Sequence, residues 1–185
     1  MSLTDTEFAV LRNTIAIRGT VRMALLPLTI FGWAVLAAGV FLYAEMPIAV
    51  VFPLAVLVAG FEAIHALHVG VERIGRYLQV NYESLPGAPQ WESTAMRVGP
   101  SLPGGGIDPL FTVVFLSTTF ANLVPVASLD ATGVEFGTLA MLHVIFIIRL
   151  VRTRGAAARQ RAVDLETFKA IRSQAPITKS PPASM

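Results

Sequence analysis

Four apolar runs of about 20 residues constrain this chain more than any other feature, because a helix of that length crosses the roughly 30 Å hydrocarbon core of a bilayer. They cover residues 23–43, 48–68, 109–129 and 133–151. In the last run Glu135 and Arg149 leave thirteen uncharged residues between them. Each of those charges must therefore sit near a membrane boundary and reach outward. With 54% of its 185 residues hydrophobic and 14% charged, the chain is more apolar than an ordinary soluble domain, whose core could not hide four such runs. The expected fold class is all-α: a polytopic membrane protein, an antiparallel bundle of four transmembrane helices with helical cytoplasmic extensions.

The basic residues give the direction. The connections 44–47 and 130–132 carry Glu45 and Asp130 and neither Lys nor Arg. All fourteen basic residues lie elsewhere: Arg12, Arg18 and Arg22 before the first run, Arg73, Arg76 and Arg97 between the second and third, and the rest from Arg149 to Lys179. The positive-inside rule then places both termini and the 69–108 loop in the cytoplasm. A multi-pass protein of the bacterial inner membrane is expected. A signal peptide fits poorly, since the first run is longer than a signal core and Asp5 and Glu7 precede it.

Three parts follow. Residues 1–22 are a cytoplasmic segment, either an interfacial helix or an extension of the first span. Residues 23–152 are the transmembrane domain. Residues 153–185 are a basic cytoplasmic helix, to about Arg172, and a Pro- and Ser-rich tail expected to be disordered. Ile64, Leu67, Val71, Ile74 and Leu78 recur at helical spacing, so the second helix continues to about Val80. The following loop has Pro86, Pro89, Pro100, Pro103 and the run Gly104, Gly105, Gly106, which is linker chemistry; no Lys-Ser/Thr follows to make a phosphate loop. Tyr43, Tyr82 and Trp91 suit interfaces. The expected partners are the bilayer with its anionic inner-leaflet headgroups and further copies or subunits of a membrane complex, and not nucleic acid. Cysteine is absent, which excludes disulfides, thiolate metal sites and cysteine nucleophiles.

The densest polar constellation is on the second helix. At 100° per residue Glu62, His65, His68, Glu72, Arg73 and Arg76 share an arc of about 140°. Beside it runs a stripe of small residues, Ala55, Ala59, Ala63, Ala66 and Gly70, of the kind that lets helices approach closely in lipid. That stripe is expected to seat the helix against its neighbours. Depth, at 1.5 Å per residue, suggests two interhelical pairs. Arg149 lies roughly 20–24 Å from the outer boundary and Glu62 about 21 Å, and Asn122 comes near the level of His143.

No cofactor is expected. Glu62-x-x-His65 has the spacing of carboxylate-bridged metal bundles, but those use it twice with two further carboxylates. A haem or metal ion at Glu62, His65 and His68 is therefore the third reading. The second is a small transporter, channel or proton-conducting subunit using the same three residues, since intramembrane ionisable groups are often functional. The first is a non-catalytic membrane protein, an accessory subunit or self-associating scaffold, with no catalytic residues and a structural polar cluster. The stretch from Val71 to Gln79 reads as a motif because it keeps Gly75 inside a helical pattern.

Overall fold

The computed structural model of the chain describes residues 3–98 and 109–174. The glycine run at 104–106 and the tail 175–185 lie outside the described residues. Among the described residues every regular element is helical: α1 (Leu3–Tyr43), a 3-10 turn (Pro47–Val50), α2 (Val51–Asn81), α3 (Trp91–Val98), α4 (Pro109–Ala121), α5 (Val124–Ser128) and α6 (Gly133–Gln174).

Among the described residues three helical stretches are long and apolar enough to cross a membrane: Asp5–Tyr43, Pro47–Asn81 and Gly133–Gln174. The third expected span, residues 109–129, is not one continuous helix. It divides into α4 and α5, and its apolar part, Phe111–Val126, is a shorter stretch. The cause is local. Pro125 has no N–H to continue the ladder, and its ring would strike the carbonyl four residues back, that of Ala121, where α4 ends.

The N-terminal segment belongs to α1, which runs unbroken for 41 residues. Pro47 and Pro53 fall in the turn before α2 and in its first turn, where a missing N–H costs little. Asp130 takes a positive φ of 46° between α5 and α6, a conformation Asp tolerates. α6 then opens with a capping box. The Thr132 hydroxyl accepts the Glu135 N–H at 3.3 Å, and a Glu135 carboxylate oxygen accepts the Thr132 N–H at 3.0 Å. Glu135 is thus spent at the helix mouth, which reconciles its charge with the apolar run behind it.

α2 is the central element and packs against α1, α3, α4 and α6. Its inward stripe is Leu54, Leu57, Phe61 and Ile64, joined by Phe115 from α4 and by Phe146 and Leu150 from α6. Phe61 meets Phe115 and Phe146 edge-on at 5.5 and 5.8 Å, a favoured aromatic geometry. At Gly60 a Cβ would overlap the buried Thr29 side chain, so glycine there sets how closely α1 and α2 approach. A smaller cluster of Val40, Val50, Val126 and Leu139 closes the end that carries the turns.

The alanine stripe does not seat α2 within its own chain. Ala55, Ala59, Ala63 and Ala66 are all exposed. Burying the larger Leu and Phe stripe removes more apolar area, so that face wins the core. Tyr82 also departs from expectation: it is buried and packs on Phe8 at 5.4 Å instead of lying at an interface.

Candidate functional site

Polar side chains gather at three levels. The first is a buried knot at Asn122, the residue after the break in α4. Trp33 on α1 donates its indole N–H to Asn122 Oδ1 at 3.0 Å. Asn122 Nδ2 donates to the Val50 carbonyl at 3.2 Å and faces His143 Nε2 at 3.0 Å. His143 Nδ1 lies 2.7 Å from the Leu139 carbonyl and must donate to it, which leaves Nε2 as the acceptor for Asn122. Both donors and the acceptor of one amide are used. Four segments of chain meet there.

The second level is an ion pair. Arg149 on α6 grips Glu62 on α2 with two parallel bonds, Nε to Oε1 at 2.7 Å and Nη2 to Oε2 at 2.9 Å. Arg149 Nη1 also donates to Thr153 at 3.1 Å. This fork-to-fork geometry is the strong form of an Arg–carboxylate contact. The two side chains remain 44% and 41% exposed. His65 stands one turn below, its ring parallel to that of Phe61.

The third level lies where α1 begins and α2 and α6 end. Arg22 donates to His68 Nδ1 at 3.0 Å. Glu72 faces Arg161 at 3.7 Å, and Arg73 faces Asp164 at 3.4 Å. Arg76, only 4% exposed, bonds Gln79 at 2.8 Å and Glu92 of α3 at 3.4 Å, while Arg12 reaches Glu92 at 3.1 Å. Gly75 earns its place in the Val71–Gln79 stretch here: a Cβ on it would stand 2.7 Å from the Glu92 carboxylate. Glu83 anchors α3 by accepting the N–H groups of Glu92 and Ser93.

The polar arc of α2 is therefore not one site. Glu62 turns to Arg149, His68 to Arg22, Glu72 and Arg73 to α6, and Arg76 to α3. Among the described residues no three His, Cys, Asp or Glu side chains stand together as a metal-binding group. The indole bond of Trp33 was not among the expected interhelical contacts. The available signal was that a buried indole N–H needs an acceptor, and Asn122 was the nearest candidate in an apolar span.

Burial pushes the Glu92 carboxyl up from its ordinary range, and the guanidinium groups of Arg76 and Arg12 pull it back down. A carboxyl raised on folding takes up protons relative to the unfolded chain. Stability is then fullest below the ordinary glutamate range and falls as pH rises through the window up to the raised value. Glu92→Gln should flatten that part of a pH–melting profile recorded in detergent; an unchanged slope would locate its source elsewhere.

Fold and site together define an all-helical chain whose three long apolar helices suit an integral membrane protein. No protein-family model matches it, and no curated protein or solved structure shows significant similarity to it.

Proposed function

We propose that this chain is a non-catalytic integral membrane protein that self-associates through the open face of α2, as a scaffold or accessory subunit of a membrane complex. One observation carries the reading. Ala55, Ala59, Ala63 and Ala66 form an uncovered small-residue stripe, with the half-exposed Glu62–Arg149 pair on its margin. Small residues at this spacing allow close backbone contact between helices in lipid. A second copy seated there covers the stripe and shields an ion pair that hydrocarbon would solvate badly. Proton or ion conduction by Glu62, His65 and His68 is the alternative; it asks those groups to hand on a charge, whereas Arg149 and Arg22 already engage two of them.

The test is native mass in mild detergent and energy transfer between labelled copies in vesicles. The full chain should run as a dimer or larger assembly, and Ala59→Leu with Ala63→Leu should weaken it at least tenfold, about 1.4 kcal/mol. A monomer at every concentration, or assembly indifferent to the two leucines, would refute it.

In the bilayer both termini and the loop before α4 face the cytoplasm, because the basic residues collect there. The absence of native cysteine makes this simple to check. In intact cells Glu45→Cys should react with an impermeant thiol reagent and Thr94→Cys should not; the reverse pattern would invert the topology.

A further inference from the structure

A small, partly open space of about 10 Å³ lies between α2 and α6, lined in part by His68, Glu72, Gln160, Arg161 and Asp164. That is the room one water molecule requires. Two polar atoms in this region, His68 Nε2 and Glu72 Oε2, are shut off from solvent and have no hydrogen-bond partner among the described residues. The Arg161 guanidinium faces the same Glu72 oxygen at 3.7 Å, which is too long for a hydrogen bond.

The tautomer follows from the other side of the ring. An arginine always donates, so Arg22, 3.0 Å from His68 Nδ1, requires that nitrogen to accept. The ring hydrogen of the neutral imidazole is then on Nε2. The two orphaned atoms become a matched pair, an N–H donor and a carboxylate acceptor, beside a void of one-water size. A metal cation is the wrong occupant, because Nε2 has no lone pair to offer and two guanidinium groups stand close by. Gln160 and Asp164 are bonded to each other at 2.8 Å and form a polar wall.

From this geometry we infer that the cavity is a single-water site, in which an ordered water accepts from His68 Nε2–H and donates to Glu72. The resulting relay runs from Arg22 on α1 through His68 and the water to Glu72 on α2 and Arg161 on α6. It ties the three long helices together at the level where their apolar stretches give way to charge. The water half of the relay depends on the α1 half: the Arg22 contact sets the tautomer, and the water uses it. The charged groups around His68 are Arg22 from α1, Glu72 from α2, and Arg161 and Asp164 from α6. Each has a role in the relay or its wall.

The experiment is nitrogen-15 histidine spectroscopy on the full chain in lipid nanodiscs, with cross-relaxation from ring hydrogens to water. His68 should be the neutral Nε2–H form, and that hydrogen should show a cross-peak to a long-lived water. Glu72→Gln keeps an acceptor oxygen and should keep the cross-peak. Glu72→Leu fills the void and should abolish it while the Nε2–H tautomer, set by Arg22, persists. An Nδ1–H tautomer, an Nε2–H with no bound-water cross-peak in the native chain, or a water signal surviving Glu72→Leu would each overturn the assignment.

Discussion

Replacing Asn122 by leucine should cost about 2–4 kcal/mol of stability, the largest loss expected from any single polar substitution in the apolar region. The change strands the Trp33 N–H, the Val50 carbonyl and His143 Nε2 together. Each buried group left without a partner costs about 1–3 kcal/mol, and polar contacts between helices in lipid measure about 0.6–2 kcal/mol each. The three losses share one residue, so they fall short of a simple sum. The check is reversible unfolding in mixed detergent micelles, with Trp33 fluorescence as a local probe. Leucine shares asparagine's branching at Cγ but is bulkier, so a loss under about 0.5 kcal/mol, overpacking included, would show that packing holds the break in α4 and not the amide.

Glu62→Gln should lower stability by about 1–3 kcal/mol, at or below the cost of an arginine at the centre of a spanning helix, because Arg149 stands nearer the inner boundary when it loses its counter-charge. Its companion is the double change Glu62→Gln with Arg149→Gln, which should recover most of the loss, since no unpaired charge remains. Removing one partner of a fork-to-fork pair is worse than removing both when solvent cannot repair the damage. A competing picture has Arg149 simply reaching the headgroups, as arginines near helix ends do. In that case Glu62→Gln alone would be nearly silent and the double change would bring no recovery. A double-mutant cycle of melting temperatures in mild detergent separates the two.

Some of this molecule was readable from residue types alone. The apolar runs, the continuation of the second helix past the membrane length and the end of α6 near Arg172 follow from composition and the 3.6-residue period. So does the level at which Glu62 and Arg149 stand, because rise per residue is a local property. Depth likewise brought Asn122 to the layer of His143, and the structure has both pairs in contact.

Azimuth was not readable in the same way. Whether α2 turns its alanines or its leucines inward depends on which stripe buries more area against α1, α4 and α6, and that is a sum over three other helices. The break at Ala121 was written in Pro125, yet Pro27 leaves α1 unbroken, so the proline by itself did not decide. What distinguishes the two is the surroundings: at Asn122 the side chain, Trp33, Val50 and His143 form a bonded knot beside the break. Arg22 meeting His68 across 46 positions, and Glu92 reaching back to Arg12 and Arg76, belong to the same class. A charged group takes its partner from whichever helix lies alongside, and only the packed bundle settles which one that is.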